Sequence, residues 1–112
     1  MANEISIYRG DTPTFTVTVL DNGSAMDLTG YTMTMTVKEN EEDSDLEAKF
    51  QKTATISTPA SGIGLITLTY EDSDLIPNIY SYDVQLNNGT SNIFTCIKST
   101  FTVKQDITIT TN

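Results

Sequence analysis

The sequence contains no histidine and no tryptophan, and only one cysteine in 112 residues. Without histidine it lacks the side chain that most often serves as a general base or metal ligand near neutral pH. A single cysteine excludes an intrachain disulfide, and Cys96 is interpreted as a small buried residue. The residue types present therefore predict a protein that is not an enzyme and uses no cofactor.

Positive charge is also scarce, with 6 Lys and Arg residues against 15 Asp and Glu residues and a formal net charge of -9. Nucleic-acid binding needs the opposite balance, so nucleic acid is not an expected partner. The start of the chain has no basic segment followed by an apolar one, and no apolar run approaches the roughly 18 residues of a membrane span. We expect no signal peptide, no membrane contact and no small-molecule substrate.

What the sequence does contain is threonine in strict alternation with apolar residues. Three runs show this pattern, within residues 14–20, 31–38 and 63–70, and a fourth run, 79–86, alternates with serine, aspartate and glutamine instead. Alternation with a period of two is typical of half-buried β-strands, and threonine suits such strands because it is β-branched. The pattern predicts a single all-β domain over residues 1–112, with seven to nine antiparallel strands in two packed sheets. A small closed barrel is the alternative; the long acidic segment 39–47, interpreted as a connection between sheets, favours the sandwich.

Pro77 and Tyr80 stand where the last alternating run begins. This spacing is similar to the tyrosine corner of immunoglobulin-like sandwiches, where a tyrosine hydroxyl bonds to the backbone just upstream. We therefore expect an immunoglobulin-like β-sandwich in which Pro77 makes the turn and Tyr80 makes that bond.

The tetrapeptide Glu-Asp-Ser-Asp occurs twice, at residues 42–45 and 71–74. Its aspartates Asp43, Asp45, Asp72 and Asp74 could supply oxygen ligands to Ca²⁺, a hard cation that takes six to eight of them. Neither segment has the spacing of a calcium-binding loop. Two solvated acidic loops are the favoured interpretation, and no metal site is predicted.

The outward threonines could form a flat, uncharged interface, since the cores of protein interfaces are poor in charge. An ordinary soluble sheet face is the equal alternative. Residues 1–8 and 104–112 could add strands to a neighbour's sheet. The interface candidates are Ile5, Ile7, Thr14, Thr16, Thr18, Thr32, Thr34, Thr36, Ile107 and Ile109.

Several short motifs occur together in order: Ile-Tyr-Arg-Gly-Asp-Thr at 7–12, Asp-Leu-Thr-Gly at 27–30, Ser-Gly-Ile at 61–63, Leu-Thr at 68–69, Tyr-Ser-Tyr-Asp-Val at 80–84, and Phe-Thr-Val at 101–103. In these motifs the chain resembles the immunoglobulin-like N-terminal domain of bacteriophage baseplate upper proteins and related small virion proteins. The resemblance implies that Gly10, Gly30, Asp27 and Tyr80 shape the fold.

The same resemblance implies a structural virion protein, made in the host bacterial cytoplasm and assembled as a tail or baseplate adaptor. Its partners would be other virion proteins and copies of itself. A capsid decoration, head-fibre or neck protein is the alternative. A further alternative is a carbohydrate- or cell-surface-binding module that uses exposed aromatic residues such as Tyr8 and Tyr31.

Overall fold

The computed structural model describes residues 4–89 and 93–105 and shows an all-β protein. Within these ranges helical structure is limited to short turns. The strands are β1 (Ile5–Tyr8), β2 (Thr14–Thr18), β3 (Leu20–Asp21), β4 (Ser24–Ala25), β5 (Thr32–Lys38), β6 (Phe50–Thr53), β7 (Ile63–Thr67), β8 (Asn78–Asn87) and β9 (Ile93–Lys104). One α-helical turn, α1 (Tyr70–Ser73), precedes β8.

The larger sheet has five strands in the order β1-β9-β8-β5-β6. Its centre is the antiparallel pair β5 and β8, in which Met33 lies opposite Leu86 and Met35 opposite Val84. Residues directly opposite each other in such a pair point to the same face. The predicted alternation therefore places one face of both strands in the core.

One edge of this sheet differs from the prediction of wholly antiparallel strands. β1 runs parallel to β9, with Ile5 opposite Phe101 and Ile7 opposite Val103. The apolar alternation of β1 is the same in either direction, so it fixes which face is buried and not which way the strand runs.

A second sheet consists of β2 and β7, antiparallel, with Phe15 opposite Ile66. Buried side chains of this sheet, such as Val17 and Ile66, belong to the same hydrophobic cluster as Met35, Val84 and Phe101 of the larger sheet. The two sheets thus share one core. The strands β3 and β4 form a small hairpin around Asn22, which has a positive φ of 54°.

The acidic segment 39–47 does not connect the two sheets, which corrects the sequence-based interpretation. It leaves β5 and returns to β6, its neighbour in the same sheet, with Val37 opposite Phe50. A 3₁₀ turn at Asp45–Glu47 shortens the loop. Loop length alone does not reveal whether a chain changes sheets, because a hairpin also tolerates a long connection.

The corner before β8 is built by α1 and Tyr80. Thr69 caps α1 by accepting a hydrogen bond from the backbone N–H of Asp72. The Ser73 hydroxyl is buried and donates to the Asp11 carbonyl oxygen at 2.6 Å. The Tyr80 hydroxyl donates to the Ile76 carbonyl oxygen. Together these bonds hold the turn into the central strand.

Candidate binding surfaces

The outer face of the five-stranded sheet carries a polar trough. We define the trough as two adjoining clefts of about 390 Å³ and about 260 Å³ that share Thr36, Lys38 and Asp83. Because Thr36 lies opposite Asp83, and Asp83 lies opposite Lys98, the trough crosses β5, β8 and β9. Gln51, Gln85 and Asn87 add amide groups to the larger cleft, and Ser81 and Thr95 add hydroxyls to the smaller one.

Carboxylates of the acidic loop lie at the rim of the trough and engage its lysines. Lys38 Nζ is 2.9 Å from Asp45 Oδ1, and Lys98 Nζ is 2.7 Å from Glu41 Oε1. The hydrogen bond from Lys98 lowers the pKa of Glu41 and, in turn, Glu41 raises the pKa of Lys98. Both partners of the second pair are well exposed, so the pair adds little to stability. Its effect is to neutralise the cation beside the trough.

Asp83 is the charged side chain in the middle of the trough. Burial raises its pKa above the usual range, with Lys38 opposing the shift, Asp45 adding to it and Lys98 opposing it. Its carboxylate makes no hydrogen bond or ion pair with any residue that the structure describes. Its oxygens are not among the atoms shielded from solvent, so an external donor can reach them.

The outer face of the β2–β7 sheet has a different character. We call it the uncharged face; its outward residues are Thr14, Thr16 and Thr18 of β2 and Ile63, Leu65 and Thr67 of β7. The Thr14 and Thr67 hydroxyls lie 3.0 Å apart. Ile63 and Leu65 are exposed aliphatic residues, at 37% and 40%. Leu20, which continues the outward alternation beyond β2, is also exposed. This surface combines hydroxyl and aliphatic groups without charge.

The four aspartates considered as calcium ligands are each engaged separately. Asp45 pairs with Lys38, Asp74 with Arg9 and Asp72 with Lys52. Asp43 accepts a hydrogen bond from the backbone N–H of Asn40. Burial works to raise the pKa of Asp72, but the bonds from Lys52 and Thr69 outweigh it and lower the pKa. In the described ranges no three potential ligands converge on a metal position.

The structure separates the predicted interface residues into groups. Thr14, Thr16 and Thr18 lie on the uncharged face, whereas Thr32, Thr34 and Thr36 line the trough. Ile7 is buried in the chain's own core and Ile5 is half-buried against it, so neither presents a free apolar surface. Ile107 and Ile109 lie outside the described residues.

The aromatic residues considered for carbohydrate binding do not come together. The Lys104 ammonium lies over the Tyr8 ring, 5.7 Å from its centroid, at the β1 edge. Tyr31 instead makes an edge contact with Phe94, with 6.2 Å between ring centroids. Neither residue lines the trough.

Four of the residues expected to shape the fold lie in or beside turns. Asp27 Oδ1 accepts hydrogen bonds from the backbone N–H and the hydroxyl of Thr29. Gly10 and Gly30 have φ angles of 85° and 83°. Pro77 is exposed at the corner.

Sequence reasoning overlooked Asp83, Lys38 and Lys98 as a group. A signal was available: each is a charged residue at an outward position of a strand whose other outward residues are mostly threonine, serine, glutamine or asparagine. What the sequence did not reveal was the pairing of β8 with both β5 and β9, which brings these three residues together.

No protein-family model matches the chain, and comparison with curated proteins finds no similar sequence. Among the described residues no helix has the length and apolar character needed to cross a membrane, since α1 is a single turn.

Proposed function

We propose that the chain is an immunoglobulin-like β-sandwich. The order β9-β8-β5-β6 corresponds to the G, F, C and C′ strands of variable-type domains, and the β2–β7 pair corresponds to B and E. Tyr80 stands near the start of the F-like strand and bonds to the backbone four residues upstream, as a tyrosine corner does. The shared core between the two sheets is consistent with this arrangement.

For its role, we propose a non-enzymatic structural protein of a bacteriophage virion, acting as an adaptor in the tail or baseplate. The sequence motifs described above support this origin. The observation that carries the assembly role is the uncharged face, where the outward side chains of β2 and β7 carry no charge in a chain of net charge -9. The central part of a protein interface typically has this composition.

The proposed contact of the uncharged face is with another virion protein or a second copy of this chain. Leu65 lies in the middle of β7, opposite Thr16, and is 40% exposed. A partner covering this position would bury aliphatic surface, which stabilises a complex by roughly 25 cal/mol per Å² before the costs of association.

The experiment compares two lysine variants in particles purified from the phage-producing culture. Leu65→Lys places a charge on the uncharged face, and Thr53→Lys places one on the exposed outer side of the edge strand β6. We expect immunoblotting of particles to show at least a tenfold loss of Leu65→Lys and normal incorporation of Thr53→Lys, because an unpaired buried charge is costly.

Immunogold labelling of the same particles locates the wild-type chain and distinguishes the tail from the capsid surface and the neck. Absence of the chain from purified particles would contradict the virion role. Equal incorporation of both variants, with both folded, would show that the uncharged face is not the assembly surface.

A further inference from the structure

We propose that the trough on the five-stranded sheet is a binding site for a neutral oligosaccharide, with Asp83 and Gln85 as its central hydrogen-bonding groups. This site lies on a different sheet from the uncharged face. It therefore does not depend on the virion role proposed above.

The first argument is the pair of side chains without partners. Asp83 and Gln85 follow each other on the outward side of β8, and neither side chain has a hydrogen bond within the described parts of the chain. Asp83 can accept from hydroxyl donors, and the Gln85 amide can both donate and accept. The two residues are about 7 Å apart along the strand, a spacing that lets them bind hydroxyls at separate positions of one sugar ring or of adjoining rings.

The second argument is the state of the charges. Lys38 and Lys98 would attract an anionic ligand if they were free, but Asp45 and Glu41 neutralise them at 2.9 Å and 2.7 Å. A phosphate or acidic peptide would have to displace both carboxylates. A ligand without charge binds beside these pairs and leaves them intact, so the trough favours a neutral ligand.

The third argument is that no large aliphatic or aromatic side chain is exposed in the trough. Its other strand residues are hydroxyl and amide side chains, and the one aromatic residue in its lining, Tyr82, is buried at 5% exposure. A protein partner would find no apolar centre here for the anchor residues that dominate protein interfaces. Sugar hydroxyls, which donate and accept at once, match side chains that do the same.

The dimensions also fit a short oligosaccharide. The larger cleft, about 390 Å³, lies in the range of small-ligand sites, and the adjoining cleft of about 260 Å³ extends it across β8. Without an exposed aromatic ring to stack on a sugar, each site binds weakly. Clustering several copies raises the overall strength of binding by roughly 10²–10⁴ without any new contact.

The test uses the full chain, tetramerised through a biotin tag on streptavidin, and an array of neutral and acidic oligosaccharides. The neutral oligosaccharide with the strongest signal is then titrated into the ¹⁵N-labelled monomer and followed by NMR. We expect binding of at least one neutral oligosaccharide, with amide shift changes at Thr34, Asp83 and Gln85. We expect Asp83→Ala and Gln85→Ala each to weaken binding at least tenfold.

Thr102→Ala serves as the matched control, because Thr102 is an outward threonine of the same sheet that does not line the trough. It should bind like wild type. Asp83→Asn adds a variant that keeps the shape of the side chain and removes its charge; an intermediate loss is expected. Circular dichroism checks that each variant is folded.

The proposal is overturned if no neutral oligosaccharide binds, or if folded Asp83→Ala and Gln85→Ala bind as wild type does. Binding restricted to sulfated or phosphorylated oligosaccharides would also overturn it and identify Lys38 and Lys98 as an anion site. None of these results would alter the incorporation of the chain into particles, so the two proposals fail separately.

Discussion

At the scale of one residue, Asp83 is a side chain whose charge lowers stability and which lies in the middle of the trough. Its charge is half-buried and faces lysines that other carboxylates already engage. Carboxylates with a shifted pKa are more common at functional sites than elsewhere. The position of Asp83 in the trough is consistent with the binding site proposed there.

A pH-dependent effect of Asp83→Asn follows from the raised pKa. In the unfolded chain Asp83 ionises near its ordinary pKa of 3.8, whereas in the folded chain its pKa is higher. Well below 3.8 both states are protonated and Asp83 costs nothing. As pH rises from 3.8 to the folded pKa, the unfolded chain ionises first and the free energy of unfolding falls; the full penalty remains at higher pH. The neutral amide avoids this penalty, so we expect Asp83→Asn to have a higher Tm than wild type at neutral pH.

Differential scanning calorimetry of both proteins at several pH values measures this effect. The difference in Tm should shrink as pH falls below the folded pKa of Asp83. Glu42→Gln is the control for a general loss of negative charge, because Glu42 is exposed in the acidic loop and does not line the trough. A lower Tm for Asp83→Asn at neutral pH would show that Lys38 and Lys98 stabilise the carboxylate more than burial destabilises it.

At the scale of elements, the connection into β7 depends on Gly62. This residue ends the 3₁₀ turn Pro59–Ser61 in a left-handed conformation, with φ of 70°. Its carbonyl oxygen accepts the Val19 N–H at 2.8 Å. A Cβ at this position would lie 2.7 Å from the Val19 carbonyl oxygen. The close contact of two backbone segments joins β7 to the end of β2.

We expect Gly62→Ala to lower the free energy of unfolding by roughly 2–3 kcal/mol, because positive φ and backbone overlap both oppose the methyl group. Urea unfolding measures the change. Gly23→Ala is a matched control: its φ is 83° and nothing lies within 4 Å of a Cβ there. We expect Gly23→Ala to lose only the free energy that a non-glycine residue costs at positive φ, about 1 kcal/mol. Equal losses in the two variants would show that the overlap at Gly62 relaxes freely.

The elements also show how far the sequence predicts the fold. Alternation located β2, β5 and β8 because each buries one face. Strand pairing could not be derived this way, since the parallel contact of Ile5 with Phe101 joins segments far apart in sequence. β9 has one extra residue, Cys96, between the residues opposite Val84 and Gln85, and this forms a β-bulge. The bulge was not predicted, because it depends on the pairing of both strands.

The same limit applies to the candidate sites. The outward position of Thr16 and of Thr34 was predictable, but not that they would lie on surfaces of different character. That difference arises because Leu65 lies opposite Thr16, whereas Gln85 lies opposite Thr34. Periodicity assigns a residue to a face, and only pairing supplies its neighbours.

At the scale of the whole molecule, a net charge of -9 opposes contact between copies. Lys38, Lys49, Lys52 and Lys98 each pair with a carboxylate on another segment of the same chain. Much of the remaining charge is negative and lies in loops. Association of two copies through the uncharged face would therefore depend on how well solvent ions screen the loops.

We expect any self-association of the isolated chain to strengthen as NaCl rises from about 20 mM to about 300 mM, because screening shortens the range of repulsion. Sedimentation equilibrium at several salt concentrations measures the dissociation constant. Leu65→Lys should abolish the association at every salt concentration, while Thr53→Lys should preserve it. Association that weakens with added salt would instead point to an ionic contact between copies.

The parallel edge pair also has a mechanical consequence. β1 and β9 are parallel. A force that pulls Ile5 towards the N-terminal end of this pair and Lys104 towards its C-terminal end therefore acts along the two strands. The hydrogen bonds of the ladder between them, extended by the Arg9 N–H to the Lys104 carbonyl oxygen, are loaded together in shear. They must break at the same time and do not peel apart one by one. A domain tethered at these two positions would resist tension along its long strands and transmit it to its neighbours.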